Sequence, residues 1–227
     1  MKKIISIIAS FVMAFACLIP VYAEEDYIQY PTVEELLVSG DLDLRDVNVA
    51  TPLSLSDTVA ANISIYCNMD KSSSSSPLTT GHSFLVIKNF SQTRTYGTYS
   101  VKAGKSFSIG TFGNKGYNGI WYNVESNDRS DYTGSKTFYL KSIITGDKMT
   151  AFRNKLKTMN NWLANKNCAY FAVTMWNQAG CSKITPTVVE TPSTLKSKIQ
   201  KKSGSKTGKN DSDFANAIRG KNTACHY

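Results

Sequence analysis

The residues best suited to nucleophilic chemistry in this sequence are one cysteine and one histidine, Cys168 and His82. The chain contains only two histidines, and the other, His226, is the penultimate residue of a polar tail. An imidazole in such a tail is hard to hold against a nucleophile. His82 instead lies where a loop becomes an apolar strand, which is a rigid place for a general base.

The sequence places Cys168 at the first turn of a helix. The segment from about Asn167 to Ala179 is almost wholly apolar and Gly180 follows it, so we predict a buried helix over this range. Unpaired amides and the positive dipole end stabilise a thiolate there, and Lys166 adds a nearby positive charge. A thiol in this setting, with an imidazole within reach, is an activated nucleophile for acyl transfer.

The elements that must position this pair begin with strands. Alternating or continuous apolar runs predict about five or six of them before residue 145. They cover 63–67, 83–88, 94–101, 107–109, 120–124 and 138–140. We expect 83–88 and 94–101 to pair as a hairpin that begins at His82, because turn-forming residues separate them.

After residue 145 the apolar residues follow the spacing of helices. Five apolar residues at intervals of three and four predict one buried face of a long amphipathic helix, which Thr145 or Asp147 can cap. The five are Met149, Phe152, Leu156, Met159 and Leu163. Pro192 predicts the start of a short third helix. The fold class is therefore α+β, with an antiparallel sheet packed on a buried cysteine-bearing helix and an amphipathic helix.

Two short motifs resemble those of a known family. Gly81-His82-Ser83-Phe84-Leu85-Val86 is one, and Asn167-Cys168-Ala169-Tyr170-Phe171-Ala172, continuing to Trp176-Asn177, is the other. Both resemble the circularly permuted papain-like hydrolases, which include NlpC-type and lecithin retinol acyltransferase-like proteins. In that family the strand bearing the base precedes the helix bearing the nucleophile, and an Asn-Cys pair opens the helix. The resemblance covers roughly residues 60 to 200 and implies a permuted papain-like fold, with Cys168 as nucleophile and His82 as general base.

The sequence leaves open which residue orients the histidine. The family commonly has a polar residue, often a second histidine, on the following strand, and this sequence has no histidine there. The remaining candidates are Asn89, Tyr96, Thr98, Tyr99 and Glu125, the last of which follows a later strand.

The cysteines permit a second interpretation, in which the chain is a secreted binding protein without catalysis. Cys67, Cys168, Cys181 and Cys225 form an even set, as two disulfides would require. Cys168 and Cys181 lie at opposite ends of one predicted helix, roughly 20 Å apart, and cannot pair. A disulfide at Cys168 would therefore involve Cys67 or Cys225.

The N-terminus predicts export. Residues 1–23 have the basic start, apolar middle and small-residue end of a cleaved signal peptide. Residues 24–57 carry nine acidic side chains and one basic, which indicates either a solvated arm or a pro-segment lying over the body. Residues 58–227, with 23 basic and eight acidic side chains, are expected to form one domain with a basic polar tail.

The charge distribution and the motifs exclude several classes of function. The basic tail lacks the interleaved aromatic residues that stack on bases, so no nucleic acid partner is expected. No spacing indicates a metal site or a cofactor, and no second apolar stretch is long enough to span a membrane. We predict a secreted or cell-envelope cysteine hydrolase that cleaves an amide or ester. An anionic cell-wall peptide is the preferred substrate class, and transfer or hydrolysis of a lipid acyl group is equally compatible.

Overall fold

A computed structural model of the chain describes residues 29–69, 81–113, 118–208, 211–220 and 222–225. The predicted signal peptide and His226 lie outside these ranges. The strands are β1 Val59–Asn68, β2 His82–Asn89, β3 Arg94–Tyr96, β4 Tyr99–Val101, β5 Ser106–Gly113, β6 Asn118–Tyr122, β7 Thr137–Thr145, β8 Lys206–Thr207 and β9 Thr223–Ala224. The helices are α1 Val33–Val38, α2 Val124–Asn127, α3 Gly146–Lys157, α4 Cys168–Gln178, α5 Pro192–Gln200 and α6 Ser212–Ala215, with a 3₁₀ turn at Arg129–Tyr132.

The described chain is built on an antiparallel sheet of seven strands, in the order β8-β7-β1-β2-β5-β6-β9. The central strands β1 and β2 are buried along almost their whole length, as expected for strands covered on both faces. The α+β class and the antiparallel sheet are therefore confirmed. The sheet has more strands than the predicted five or six because the two-residue edge strands β8 and β9 are too short to leave a periodic pattern.

Successive side chains of β1 point to opposite faces of the sheet and contribute to a separate core on each face. Ile63, Ile65 and Cys67 contribute to the larger core, which α3, α4 and α5 complete. Tyr66 faces the other side, where it packs against Phe214 of α6. The predicted cysteine-bearing helix is confirmed as α4, and the predicted third helix is confirmed as α5.

The predicted hairpin between 83–88 and 94–101 is wrong. β2 pairs with β1 and β5, whereas β3 and β4 pair with each other around Gly97, whose φ of 65° suits a tight turn. The Asn89 side chain stabilises this separate hairpin because it donates to the carbonyls of Ser91, Gln92 and Val101. A local turn and one buried amide thus replace the expected pairing with β2.

The predicted long amphipathic helix is also too long. α3 ends at Lys157, so Met159 is buried outside the helix and Leu163 is 44% exposed. Asn160 explains the early end, because its side chain accepts from the Ile120 amide and donates to the Cys225 carbonyl. These two bonds hold the chain after α3 against the sheet edge.

The described part of the acidic segment packs on the body of the domain. Val33, Leu36 and Leu42 are buried against Val59 and Ile143. Ion pairs join Asp41 to Lys88 at 2.6 Å and Asp46 to Lys206. Lys88 lies six residues along β2 from His82, roughly 20 Å in an extended strand. The apolar part of the segment and Asp41 therefore contact the end of the sheet remote from His82. Asp46 reaches Lys206 on the edge strand β8, which is level with Phe84 but three strands away from β2.

A buried charged network anchors the C-terminal part of the chain. Lys141 on β7 pairs with Asp213 at 2.6 Å and with Asp211 at 3.1 Å. The same Asp211 accepts hydrogen bonds from Tyr66 and Ser64 of β1. Burial lowers the pKa of Lys141, but the charges and hydrogen bonds of Asp211 and Asp213 together raise it above its usual value, so the buried lysine keeps its charge. The network fixes α6 on the sheet.

Candidate active site

Cys168 is the first residue of α4, and Asn167 is the N-cap residue before it. The Asn167 side chain accepts from the amides of Ala169 and Tyr170 and donates to the carbonyls of Ala164 and Glu190. Asn167 thus ends the preceding loop, begins the helix and joins both to the 185–190 loop. The thiol of Cys168 is held at a fixed, partly exposed position as a result.

His82 is the first residue of β2 and lies beside Cys168. Its imidazole is close enough to the sulfur for each group to shift the pKa of the other, and its Nε2 lies 2.9 Å from Oε1 of Glu125. If Nε2 donates to the carboxylate, Nδ1 is left to face the sulfur. The structure therefore brings the two residues singled out from the sequence together and adds Glu125 behind the histidine.

Glu125 is fully buried, and its second carboxylate oxygen has no hydrogen-bond partner in the structure. The residue lies in α2, immediately after β6, because Asn123 adopts a left-handed conformation with φ 65° that ends the strand. A buried carboxylate with one unpaired oxygen is costly unless a cation is close. The His82 imidazolium is the cation that would offset this cost.

The absence of a side chain at Gly110 permits this contact. A Cβ atom at Gly110 would lie 2.1 Å from Glu125 Oε1 and 3.0 Å from His82 Nε2. No real Cβ approaches an oxygen that closely. The His82 and Glu125 side chains therefore occupy the space that a side chain at position 110 would need. Gly110 is a functional position that sequence reasoning missed, because it directly follows the predicted strand 107–109 and no pattern distinguishes it from an ordinary glycine.

The electrostatics favour a thiolate and an imidazolium. Burial opposes both charges, but the hydrogen bond and charge of His82 lower the pKa of Cys168, assisted by backbone hydrogen bonds from Ser83 and Ala169. Burial lowers the pKa of His82, and hydrogen bonds to Cys168 and Glu125 outweigh it and raise that pKa to about 10. Each group of the pair therefore stabilises the charged form of its neighbour.

The other candidates for orienting His82 lie elsewhere. Asn89 is at the opposite end of β2, where it is hydrogen-bonded within the β3–β4 hairpin, and the Tyr96 hydroxyl donates to it. Tyr99 accepts from Asn123, and Thr98 is in the hairpin turn. Of the five candidates, the described contacts bring Glu125 to the imidazole.

All four cysteines in the described ranges are free thiols. Burial raises the pKa of Cys67 and of Cys181 to about 12 in each case. Cys67 donates to the Pro192 carbonyl at 2.8 Å. A disulfide at Cys168, as the non-catalytic interpretation requires, is not formed in this structure.

Aromatic rings surround the imidazole. Phe112 stacks on His82 with ring centroids 4.6 Å apart, and Tyr132 is 6.1 Å away on another side. Next to Phe112, Gly113 leaves room for the indole of Trp162, which precedes α4. These rings restrict water around the His82–Glu125 contact, which strengthens it.

Within the described ranges, no group of three or more histidine, cysteine, aspartate or glutamate side chains is arranged to hold a metal ion. In the same ranges, no helix combines the length and apolar character that crossing a bilayer requires. The chemistry that the arrangement supports is that of a thiolate, an imidazole and a carboxylate in series.

Comparison of this chain with protein family models, with curated proteins and with solved structures found no match.

Proposed function

We propose that this protein is a cysteine hydrolase that cleaves an amide or ester bond through an acyl-thioester on Cys168. The observation that carries the proposal is the series of contacts from Cys168 to His82 and from His82 to Glu125. A structural cysteine needs no imidazole, and a buried carboxylate behind that imidazole has no evident structural role. The resemblance of the two motifs to permuted papain-like hydrolases supports the same assignment.

The proposed reaction uses Cys168, His82 and Glu125 in turn. The Cys168 thiolate attacks the carbonyl carbon of the substrate, and a carbon–sulfur bond forms as the carbonyl π electrons move to oxygen. When the tetrahedral intermediate collapses, the His82 imidazolium gives its proton to the leaving amine or alcohol, and the thioester remains. A water molecule, deprotonated by His82, then attacks the thioester and releases the acid and the thiolate. Glu125 keeps the imidazole oriented and stabilises its positive form throughout.

Cell-wall peptide is the proposed substrate class. It rests on the predicted signal peptide, on the resemblance to NlpC-type proteins and on the 23 basic side chains against eight acidic ones in residues 58–227. A basic body is attracted to an anionic wall.

The proposal is tested by trapping the acyl-enzyme. The protein is mixed with an activated ester such as p-nitrophenyl acetate, and the acylated peptide is identified by mass spectrometry. We expect one acetyl group on Cys168, and no acylation and no burst of p-nitrophenol in Cys168→Ala. Cys181→Ala is the matched control, because this thiol is buried at the other end of α4, and it should acylate at the native rate. A Cys168→Ala variant that keeps the burst would disprove the mechanism.

A further inference from the structure

Exposed aliphatic side chains are concentrated around Cys168. Six large hydrophobic residues are exposed in the described part of the chain, and three of them are Leu163 (44%), Val188 (98%) and Val189 (41%). The other three lie on the acidic segment at residues 38, 44 and 55. Half of the set therefore lies on the two loops that precede α4 and α5.

Asn167 joins these two loops next to the thiol. Its side chain donates to the Ala164 carbonyl in one loop and, at 2.6 Å, to the Glu190 carbonyl in the other. Leu163 directly precedes Ala164 and is held by two backbone hydrogen bonds with Lys166. Val188 lies two residues before Glu190. The aliphatic residues therefore form a protruding rim beside Cys168, which we call the 163/188 rim.

The chain around this rim is strongly basic. Between residues 160 and 202 there are six lysines and a single acidic residue, Glu190. Three of the lysines follow the C-terminal ends of α4 and α5, away from the rim, and the other three are Lys166, Lys196 and Lys198. Glu190 is buried and its charge is matched by Lys198 at 2.5 Å. This leaves Lys166 beside Leu163 without an acidic partner among the described ion pairs, and Lys196 on α5 with its ammonium over the Phe138 ring of β7. The rim thus combines protruding aliphatic groups with excess positive charge.

From this combination we infer that the 163/188 rim docks on an anionic lipid bilayer surface. A protein partner requires a contiguous complementary patch, whereas side chains that protrude singly from loop tips make no such patch. A polar wall polymer would gain nothing from bare valines. A bilayer accepts separate aliphatic side chains at its interface, and its anionic headgroups attract the lysines beside them. Docking in this way brings the Cys168 thiol to the membrane surface.

The inference is tested by vesicle binding, which is independent of catalysis. The protein is isolated from the cells that express it, its N-terminus is determined by mass spectrometry, and it is sedimented with vesicles of phosphatidylcholine alone or containing phosphatidylglycerol. We expect binding to the anionic vesicles that weakens as salt rises. The double variant V188S/V189S should bind at least about tenfold more weakly, because two aliphatic side chains no longer enter the interface.

Val38→Ser is the matched control, because Val38 is 84% exposed but lies on the acidic segment, and it should bind as the native protein does. Cys168→Ala should also bind normally even though it abolishes acylation, so that a failure of docking and a failure of the hydrolase mechanism are distinguishable. The inference is overturned if the anionic vesicles capture no protein, if neutral vesicles bind equally well, or if V188S/V189S binds as tightly as Val38→Ser. Pelleting with insoluble cell wall that is unaffected by V188S/V189S, without vesicle binding, would also overturn it.

Discussion

At the scale of single residues, the charge state of Cys168 depends on groups that are far apart in the sequence. His82 contacts the sulfur, and Glu125, 43 residues beyond the histidine, contacts the imidazole at 2.9 Å. The same carboxylate is fully buried and keeps one oxygen unpaired, so the imidazolium is its closest compensation. The charge states of Cys168 and His82 are therefore coupled, and Glu125 stabilises the charged imidazole.

Glu125→Gln should lower the pKa of His82 without changing the shape of the site. The amide is the same size as the carboxylate but carries no negative charge, so the His82 pKa falls and the imidazolium stabilises the thiolate less. We expect the pH at which Cys168 becomes reactive to iodoacetamide to rise by about one unit. The profile is measured by peptide mass mapping across pH.

The control for this change is Glu35→Gln, which removes an exposed carboxylate on α1 remote from the site. Its alkylation profile should match that of the native protein. An unchanged profile in Glu125→Gln would mean that Glu125 has only a structural role.

The sequence revealed the two reacting residues but not their arrangement. His82 and Cys168 could be singled out because histidines are few and because an apolar helix with a polar start begins at the cysteine. Glu125 remained one of five candidates, since the left-handed Asn123 that turns it toward the sheet has no signature in hydrophobic periodicity. Gly110 could not be recognised because its role is to leave space for two distant side chains.

At the scale of elements, the start of α4 determines where the thiol lies. Asn167 makes four hydrogen bonds through its side chain, two of which cap the helix and two of which hold neighbouring loops. A helix start held in this way keeps the thiol at the positive end of the helix dipole, beside the Ala169 amide. Helix position and thiol reactivity are therefore coupled through one residue.

Asn167→Ala should lower both the stability of the protein and the reactivity of the Cys168 thiol. Loss of an N-cap costs about 1 kcal/mol of unfolding free energy, and the unsatisfied carbonyls of the loops add about as much again. We expect a total decrease of about 2 kcal/mol in urea unfolding, together with slower alkylation of Cys168. Asn167→Asp keeps the cap and loses the two hydrogen bonds to the loop carbonyls, so its stability should lie between those of the native protein and Asn167→Ala. Equal stability of Asn167→Ala and the native protein would contradict this account.

The element boundaries show which patterns are reliable. Strongly apolar segments were located well, since α4 was predicted over about Asn167 to Ala179 and spans Cys168–Gln178. The helix after Thr145 was predicted too long because Met159 and Leu163 continue the apolar spacing, although the Asn160 side chain holds that stretch to the sheet edge. Periodicity reports burial and does not report where side-chain hydrogen bonds interrupt a helix.

At the scale of the whole molecule, the described part of the acidic segment belongs to the packed structure. Leu36 is 5% exposed in a cluster with Val59 and Ile143, and two ion pairs tie the segment to β2 and β8. The Leu36 cluster lies at the end of the sheet remote from His82 and Lys206 is on the edge strand β8, so none of these contacts involves the candidate site. The segment contributes to stability in the position that the structure shows.

Leu36→Ala measures that contribution. Removing a buried leucine side chain leaves a cavity and should lower the free energy of unfolding by about 2 to 4 kcal/mol. Val38→Ala, on the same short helix but 84% exposed, should change it by less than about 0.5 kcal/mol. If both variants unfold at the same urea concentration as the native protein, the segment is not part of the stable fold.

The central claim is that His82 holds Cys168 as a thiolate, and the most direct measurement is the pH dependence of Cys168 alkylation in the native protein and in His82→Ala. The account predicts that native Cys168 reacts well below the pH of about 8.5 typical of a free thiol, because the pKa of Cys168 is lowered. In His82→Ala burial is no longer opposed by the imidazolium, so reactivity should appear only at higher pH. Identical profiles for the two proteins, or a native Cys168 that resists alkylation until the pH of an ordinary thiol, would contradict it.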